Sequence, residues 1–207
     1  MQNIIIIDYG YGNIYSILSA FKVLKFNAKV SNNPCEIRKA DILVLPGVGA
    51  FKSAITALKK LHIDTAIKEA IKRGGYIVGI CLGFQMLFDQ SEEFGLTKGL
   101  GLLTGKVTKL DNSVNKVPNV GWRHLIKSEN NFNKINFNFM KLDMVYFVHS
   151  YIPVSSSSDN ILFYTKFGDK LLHASVFSKQ VIGFQFHPEK SGPVGLNILD
   201  TTIRGLK

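Results

Sequence analysis

A cysteine flanked by two glycines stands where a strand pattern meets a helix pattern. The segment Gly79-Ile80-Cys81-Leu82-Gly83 follows an apolar run over Tyr76–Ile80 and opens a helical pattern over residues 82–88. This is the arrangement of a nucleophile elbow, with cysteine where the hydrolase version carries serine. Glycine suits both flanking positions, because side chains two places from the turn would collide. The motif predicts a nucleophilic thiol, although a small buried cysteine between strand and helix gives the same pattern.

The helix predicted after Cys81 would supply favourable electrostatics. Its free N–H groups and positive dipole end would point at the sulfur and favour the thiolate over the thiol. The N–H of Leu82 would be placed to receive an oxyanion. Cys35, the second of the two cysteines, follows Asn33-Pro34 in a predicted loop and has none of these features. We therefore expect Cys81 to be the nucleophile.

An imidazole and a carboxylate follow a predicted strand at residues 181–186. His187, Pro188 and Glu189 stand in succession, and Pro188 biases His187 toward an extended backbone. In an extended stretch, residues two apart face the same side, about 6.6 Å apart along the chain. His187 can then act as a base toward Cys81, while Glu189 fixes its tautomer and stabilises the imidazolium. A His-Pro-Glu segment alone also fits a capping or surface role, but with the cysteine elbow it predicts a catalytic triad.

The composition limits the class of protein. A length of 207 residues fits one domain, expected over residues 1–207, and 46% apolar residues is typical of globular proteins. No apolar run approaches the roughly 18 residues of a membrane-spanning helix, and the N-terminal residues lack a signal-peptide pattern. Two cysteines are too few for a disulfide framework. We expect no membrane association, and a reducing cytosol is the simplest compartment.

The net charge of +10 raises the question of nucleic-acid binding. Only four of the 25 basic residues are arginines, the preferred bidentate readers of phosphates and guanine edges, and the lysines are scattered. This pattern favours a lysine-rich surface over a nucleic-acid partner. An acidic partner face, or an anionic substrate held jointly with that partner, stays open.

The first half of the chain alternates between strand and helix patterns. Continuous apolar runs predict buried strands, and apolar residues three and four apart predict helices. The predicted strands are Ile4–Ile7, Ile42–Leu45 and Tyr76–Ile80, and the predicted helices are one capped by Asn13 with apolar residues from Ile14 to Leu24 and three over residues 51–58, 65–71 and 82–88.

The second half carries more strand patterns. Strands are predicted over residues 106–110, 143–149, 161–167, 171–177 and 181–186, a surface excursion over 130–138, a turn over 155–159 and a closing helix over 195–202. This order predicts an α/β fold: a mostly parallel sheet with helices on both faces and additional strands. Sites in such sheets lie beyond the C-terminal strand ends, where Asp8, Pro46-Gly47 and Cys81 are expected.

The two motifs together resemble those of class I, triad-type, glutamine amidotransferases. Within that class, the whole chain is similar to the family of glutaminase subunits of imidazole glycerol phosphate synthase, the histidine-pathway enzyme. The similarity implies a flavodoxin-like amidotransferase fold. The segments that carry it are Asp8-Tyr9-Gly10-Tyr11-Gly12-Asn13, Leu45-Pro46-Gly47-Val48-Gly49-Ala50-Phe51, residues 79–88, Gly121-Trp122, Tyr146-Phe147-Val148-His149-Ser150-Tyr151 and residues 186–192.

The resemblance implies roles for particular side chains. Cys81 would attack the side-chain amide of glutamine, and His187 would protonate the departing ammonia and then activate water. The oxyanion hole would be formed by backbone N–H groups, those of Gly47, Val48, Gly49 and Leu82. The substrate-binding residues would be Gln85, Glu93 for the α-ammonium, and Ser150 and Tyr151 for the α-carboxylate end. His62, His124 and His173 match no family role.

The resemblance further implies the partners. Glutamine would be the substrate, no cofactor or metal would be needed, and ammonia would pass to a separate cyclase subunit in a heterodimer. The product would be imidazole glycerol phosphate with AICAR, formed in histidine biosynthesis. Without the family resemblance, each of these substrate-binding residues has a simpler explanation: Gln85 would be a polar helix residue, Glu93 a solvated loop charge and Tyr151 a packing residue.

One segment departs from the family pattern. Where the histidine-pathway family usually carries Pro-His-Met-Gly-Trp-Asn, this chain has Pro118-Asn119-Val120-Gly121-Trp122-Arg123. The departure leaves open a second acceptor, a sugar-aminating ligase of surface polysaccharide biosynthesis. Two other classes also stay open at this point, a stand-alone cysteine hydrolase and a catalytically silent interaction protein. Gln85, Glu93 and Ser150-Tyr151 favour a free amino acid over a polypeptide substrate, and the filled triad disfavours a silent protein.

Overall fold

The computed structural model describes residues 2–129, 144–155 and 158–206. In these residues the helices are α1 (Ile14–Val23), α2 (Pro34–Ile37), α3 (Phe51–Lys60), α4 (Ile63–Lys72), α5 (Leu82–Met86) and α6 (Gly192–Gly205). The strands are β1 (Ile4–Ile7), β2 (Ala28–Ser31), β3 (Ile42–Leu45), β4 (Tyr76–Ile80), β5 (Phe88–Ser91), β6 (Thr97–Lys98), β7 (Leu103–Lys109), β8 (Asn119–His124), β9 (Ile126–Lys127), β10 (Met144–His149), β11 (Tyr151–Ser155), β12 (Ile161–Phe167), β13 (Lys170–Ser178) and β14 (Val181–Phe184). Short 3-10 turns lie at Ser158–Asn160 and Pro188–Lys190.

The largest sheet carries the parallel strands that end at the predicted site. Within the described ranges it has eight strands in the order β2-β1-β3-β4-β14-β13-β12-β9. The first five pair in parallel, whereas β13, β12 and β9 extend the sheet in antiparallel fashion. The carboxyl ends of β3, β4 and β14 lie side by side, because these strands are neighbours in register. The predicted α/β fold with additional strands is confirmed.

Both faces of this sheet are buried by helices. Successive side chains of a strand point to opposite faces, so Ile5 and Ile7 pack with α3, α4 and α5, whereas Ile4 and Ile6 pack with α1 and α6. The two faces explain why β1 is a run of isoleucines without alternation. They also explain the apolar stripe of α1, whose N-terminus is capped by Asn13 through a 3.2 Å hydrogen bond from Ser16 N.

Two smaller sheets lie beside the main one. Strands β11, β7, β5 and β6 form one, and the antiparallel pair β8 and β10 forms the other. In that pair, Trp122 stands opposite Tyr146 and Val120 opposite Val148. Strand β10 ends at His149, and β11 begins at Tyr151, so the turn between the two small sheets brings Ser150 to the site.

Several predicted elements needed correction. The predicted helix over residues 82–88 ends at Met86, because Phe88 pairs with Leu103 and starts β5. Phe84, Met86 and Phe88 are all buried, so their apolar pattern did not distinguish helix from strand. Cys35 lies in α2 and not in a loop, since Asn33 caps a helical turn that begins with Pro34. The predicted strands over 106–110, 171–177 and 181–186 are observed as β7, β13 and β14, with ends that differ from the prediction by up to three residues.

Other predictions concern residues that the structure leaves out or describes in part. The predicted excursion over residues 130–138 lies outside the described residues, as does position 143 of the strand predicted over 143–149, and the turn over 155–159 is described only at positions 155, 158 and 159. Short strands such as β2 and β8 were not predicted. In the described parts of the chain, the helices all lack the length or apolar character needed to cross a membrane.

Candidate active site

Cys81 occupies a strained backbone position between β4 and α5. Its φ of 55° and ψ of −112° lie where side chains other than glycine are rarely found. The peptide is held there by a 2.7 Å hydrogen bond from Cys81 N to the carbonyl of Phe184 on β14. The side chain is buried, yet it lines a cavity at the ends of the parallel strands. The predicted elbow geometry is therefore observed.

Close backbone contacts explain the two flanking glycines. A Cβ atom on Gly83 would lie 1.9 Å from the carbonyl oxygen of Leu45, and one on Gly79 would lie 2.7 Å from Phe84 Cα. Neither position has room for a methyl group. The first turn of α5 can thus pack directly against β3 and β4, which aims its N-terminus at the Cys81 sulfur.

His187 and Glu189 form a buried pair behind the cysteine. His187 Nδ1 lies 2.8 Å from Glu189 Oε1, and the two side chains are 3% and 1% exposed. The His187 backbone is fixed by a 2.9 Å bond from its N–H to the Tyr146 carbonyl and by a 2.6 Å bond from Ser191 Oγ to its own carbonyl. Within the described residues, Nε2 of His187 is buried without a hydrogen bond of regular geometry.

The surroundings of His187 favour its charged form. Burial alone lowers the pKa of this imidazole, but hydrogen bonding to Cys81 and Glu189 and the negative charge of both partners outweigh burial and raise the pKa to about 10. The ring is then an imidazolium at neutral pH beside a sulfur that can carry the opposite charge. Such a pair is equipped to attack a carbonyl with sulfur and to donate a proton to a leaving group.

A cavity of about 390 Å³ opens in front of Cys81 and His187. Nine of the predicted site residues line it, together with Pro118, Val148 and His149. Those nine are Val48, Gly49, Cys81, Leu82, Gln85, Glu93, Ser150, Tyr151 and His187. Of the remaining two, Glu189 lies behind His187, and Gly47 packs so tightly against α5 that a Cβ would lie 2.5 Å from Gly83 N.

The polar residues of the cavity are held by the surrounding chain. Gln85 Nε2 donates to the Tyr151 carbonyl at 2.9 Å and to Gln185 Oε1 at 3.0 Å. Glu93 accepts a 2.6 Å bond from Phe51 N, so one carboxylate oxygen caps α3. Glu93 is therefore half-buried at the N-terminus of α3. The alternative explanation from the sequence, a fully solvated charge in a loop, does not describe it.

In the loop after β3, an N–H expected to bind the oxyanion is already hydrogen-bonded within the protein. Val48 N donates to the Tyr11 carbonyl at 3.1 Å, so this N–H is already engaged and does not point toward a bound oxyanion. Gly49 follows with φ of +95°, a value that glycine adopts without strain. The start of the loop is held by Tyr9, whose hydroxyl donates to the Pro46 carbonyl at 2.9 Å. Burial and the nearby Cys81 charge raise the pKa of Tyr9 well above its usual range, so it stays a donor.

Sequence reasoning missed two residues at this site, His149 and Gln185. His149 lines the cavity, and its Nδ1 lies 2.9 Å from the Tyr151 carbonyl while its Nε2 lies 2.9 Å from Asn119 Nδ2. Gln185 is buried next to Cys81, with Nε2 3.8 Å from the sulfur. Gln185 could have been found from strand alternation, because it directly follows β14 and lies two positions before His187. Glu189 lies in the 3-10 turn Pro188–Lys190, so the extended spacing predicted for His187 and Glu189 was wrong.

Arg123 has a local role in the structure. Its guanidinium donates to the carbonyls of Trp122 at 3.0 Å and of Val120 at 3.4 Å, both on its own strand. The arginine that departs from the family pattern therefore donates hydrogen bonds to carbonyl groups of its own strand, β8. The cavity itself is not lined by Arg123.

Comparison with known proteins identifies the class. The family model for glutamine amidotransferase class-I matches residues 5–204, and the chain belongs to this family. The fold agrees, because a structure of PurLQS from Thermotoga maritima superimposes with a TM-score of 0.74 at 20% identity over the full length of both chains. A crystal structure described as a glutamine amidotransferase gives a TM-score of 0.71 at 18% identity and covers 97% of this chain and 98% of that one.

Within the class, the chain is similar to one kind of subunit. It is 42% identical to the imidazole glycerol phosphate synthase subunit HisH of Geobacillus sp. (strain WCH70), over 94% of this chain and 92% of the relative. It is 42% identical to the subunit HisH of Lactococcus lactis, over 96% of both chains. The subunit HisH 1 of Legionella pneumophila (strain Lens) is 38% identical over 99% of this chain and 100% of its own length.

Proposed function

We propose that this chain is the glutaminase subunit of an imidazole glycerol phosphate synthase, acting as one glutaminase domain over residues 1–207. It hydrolyses glutamine to glutamate and ammonia for a partner cyclase. The observation that carries the proposal is the constellation at one cavity: a cysteine on a strained elbow beside an imidazole whose other nitrogen bonds a buried carboxylate. The chain's membership of the amidotransferase family and its similarity to synthase subunits support the same function.

The geometry supports a thioester mechanism. The Cys81 thiolate attacks the side-chain carbonyl carbon of glutamine, and the C=O oxygen becomes an oxyanion near the N-terminus of α5. His187 then donates the Nε2 proton to the departing nitrogen, and ammonia leaves as the C–N bond breaks. In the second half, neutral His187 takes a proton from water, whose oxygen attacks the thioester carbonyl, and glutamate is released. Glu189 holds the Nδ1 proton throughout.

The cavity walls support a free amino acid as substrate. Glu93 presents a carboxylate for the α-ammonium group, and the Ser150-Tyr151 turn lies where the α-carboxylate end is expected. Leu82 N belongs to the first turn of α5, where N–H groups have no helical acceptor, so it is a donor for the oxyanion. The contribution of one such donor is roughly 3 kcal/mol of transition-state stabilisation.

The backbone after β3 supports a low resting activity. The Val48 N–H bonds the Tyr11 carbonyl, so the oxyanion hole lacks this donor until the peptide rotates. The rotation turns the peptide between Gly47 and Val48, and Gly47 has no side chain to restrict its ψ. Docking of the cyclase would shift this equilibrium and switch on glutaminase activity when ammonia can be used. The thiol of Cys81 must stay reduced for this chemistry, which suits the cytoplasm.

Replacement of the nucleophile tests the proposal. Cys81→Ser should keep the fold, because the change is nearly isosteric, and remove nearly all glutamine-dependent turnover, since a serine hydroxyl ionises far less readily than a thiol. Glutaminase activity is measured with the cyclase present, and a glutamine-like chloroketone should label Cys81 and leave Cys35, exposed on α2, unlabelled. More than a few per cent residual turnover in Cys81→Ser would refute the triad assignment, and Cys35→Ser is the matched control.

The acceptor is tested separately. The pure chain is mixed with a cognate histidine-pathway cyclase and with a cognate sugar-aminating ligase, and glutamine hydrolysis is measured in each mixture. We expect stimulation by the cyclase only. Stimulation by the ligase alone would refute the histidine-pathway assignment without affecting the glutaminase chemistry.

A further inference from the structure

Gln185 lies behind the substrate cavity, where it contacts both a residue of the cavity wall and the nucleophile. It follows β14, and its side chain is completely buried between Gln85 and Cys81. Its Oε1 lies 3.0 Å from Gln85 Nε2, and its Nε2 lies 3.8 Å from Cys81 Sγ. It does not line the cavity, so it does not contact substrate directly.

The orientation of both amides is determined by one backbone carbonyl. The Tyr151 carbonyl can only accept a hydrogen bond, so Gln85 must turn its nitrogen toward it, at 2.9 Å. The second N–H of Gln85 then reaches an oxygen of Gln185. The other end of the Gln185 amide, which faces the Cys81 sulfur, is therefore the nitrogen.

His149 reinforces this direction. Its Nδ1 also bonds the Tyr151 carbonyl, which requires a proton on Nδ1. Burial lowers the pKa of His149 to about 4, the hydrogen bond to Tyr151 opposes this, and the positive neighbours His187 and Arg123 lower it further. The ring is then neutral, and its Nε2 accepts from Asn119 Nδ2. Hydrogen bonds from Gln85 and from His149 thus hold the Tyr151 carbonyl in place.

This arrangement has two chemical consequences. Both N–H groups of Gln85 are engaged, so Gln85 offers only its carbonyl oxygen to a ligand in the cavity, which must be a hydrogen-bond donor there. The sulfur has a second neighbour, the Val148 carbonyl at 3.9 Å, which can accept only from the protonated thiol. The Gln185 N–H is the contact that strengthens when the sulfur becomes negative.

We propose that Gln185 is a positioning residue that orients Gln85 toward the substrate and at the same time stabilises the Cys81 thiolate with its amide N–H. This inference rests on the proposed role of Cys81 as nucleophile. It assigns two separable effects to one side chain, substrate recognition through its oxygen and thiolate stabilisation through its nitrogen.

Two substitutions separate these effects. Gln185→Glu keeps the shape and an acceptor for Gln85 but removes the N–H that faces the sulfur. We expect kcat for glutamine to fall by about tenfold or more, as for the loss of a hydrogen bond to a charged group, with KM within about twofold. Gln185→Met removes both interactions, so KM should rise as well. Gln180→Glu, the same change at the turn between β13 and β14, is the matched control and should leave both constants unchanged.

The state of the sulfur is measured without glutamine. In a Cys35→Ser background, Cys81 is the remaining cysteine, and its alkylation by iodoacetamide is followed from pH 5 to 10. The pH of half-maximal rate should rise by about one unit in both Gln185 variants. Profiles that superimpose on the parent, or a KM that rises equally in Gln185→Glu and Gln185→Met, would overturn the inference. If Cys81→Ser stayed active, the proposed function would fail, whereas a normal Gln185→Glu beside an inactive Cys81→Ser would refute this inference alone.

Discussion

At the scale of single residues, the chemistry depends on a histidine that keeps its proton. His187 lies in a buried hydrogen bond to Glu189, next to a second negative group at Cys81, and these partners raise its pKa to about 10 in spite of burial. A proton donor with this pKa is charged when the thiolate attacks and can still transfer its proton as nitrogen leaves. The contacts with Glu189 and Cys81 therefore outweigh the effect of burial, which by itself would favour the neutral form of His187.

Removing the Glu189 charge should narrow the working pH range. In Glu189→Gln we expect a lower His187 pKa, so the alkaline limb of kcat/KM moves to lower pH, and activity falls by about a hundredfold or more because the ring orientation is lost. A group whose folded pKa is raised stabilises the fold fully below its unfolded value of 6.5, and that contribution is lost as pH rises through about 10.

The same variant can be checked by stability. Between pH 6.5 and 10, the free energy of unfolding should decline more steeply in the parent than in Glu189→Gln, as measured by urea denaturation. Glu92→Gln, at an exposed carboxylate paired with Lys106, is the control and should preserve both the pH–rate profile and the slope. An unchanged alkaline limb in Glu189→Gln would contradict the role assigned to this pair.

At the scale of elements, catalysis depends on how closely α5 approaches the sheet. Its first turn touches the end of β3 at Gly83, and its later residues Phe84 and Met86 are buried in the core. The same contact sets the strained conformation of Cys81, which costs about 1–3 kcal/mol and persists only because the packing enforces it. The helix and the nucleophile are thus positioned as one unit.

A single methyl group should disturb that unit. Gly83→Ala would place a Cβ 1.9 Å from the Leu45 carbonyl oxygen, so α5 must move away from β3. We expect the free energy of unfolding to fall by about 1–3 kcal/mol and glutaminase activity to fall with it, because the sulfur and the Leu82 N–H shift together. Chemical denaturation and steady-state kinetics measure the two effects. Ser53→Ala on the exposed face of α3 is the control, and a fully active Gly83→Ala would show that the close contact is dispensable.

At the scale of the whole molecule, the cavity opens beside an apolar surface. This mouth surface consists of four exposed apolar side chains, Val48, Val120, Trp122 and Val148. Val120 and Trp122 lie on one face of β8, and Val148 stands opposite Val120 on β10. Exposed apolar clusters of this kind mark protein interfaces, and large aromatic residues carry much of the binding energy. We infer that the cyclase docks here, where it would also touch the loop that holds Val48 N.

Activity should depend on that docking. The isolated chain is expected to hydrolyse glutamine slowly, because the Val48 N–H is bonded to the Tyr11 carbonyl, and the cognate cyclase should accelerate the reaction. Turnover is measured with and without cyclase, on a chain verified as a monomer. Ammonium salts should drive the cyclase alone and bypass this subunit. Full-speed glutaminase activity from the monomer would exclude the switch.

Loss of the exposed indole should weaken the complex. We expect Trp122→Ser to raise the Kd for the cyclase by about thirtyfold, the effect of losing an aromatic hot-spot residue of roughly 2 kcal/mol. Titration calorimetry measures the affinity, and the fold is checked by thermal unfolding. Val23→Ser is the matched control, since Val23 is 67% exposed at the C-terminal end of α1, whereas the site lies at the sheet edge where α1 begins. Equal losses in both variants would place the interface elsewhere.

The sequence by itself determined the parts of this protein that depend on local pattern. The parallel strands Ile4–Ile7, Ile42–Leu45 and Tyr76–Ile80 were predicted with the observed ends, because residues buried on both faces form unbroken apolar runs. The elbow at Cys81 and the His187-Pro188-Glu189 segment were readable for the same reason, since each is contained in a few consecutive residues. The amidotransferase class followed from those motifs.

The tertiary structure decided what distant residues do to one another. Gln85 and Gln185 are 100 positions apart, and the direction of their hydrogen bond depends on a third residue, Tyr151. The turn of Val48 N toward Tyr11 and the pairing of Asn119 with His149 are likewise long-range contacts. The helix at Leu82 was predicted too long, because Phe88 pairs with Leu103 of β7 and begins a strand, although its ring still packs on Phe84 of α5. Periodicity reports which residues are buried, but not which partners bury them, and only the packed fold supplies those partners.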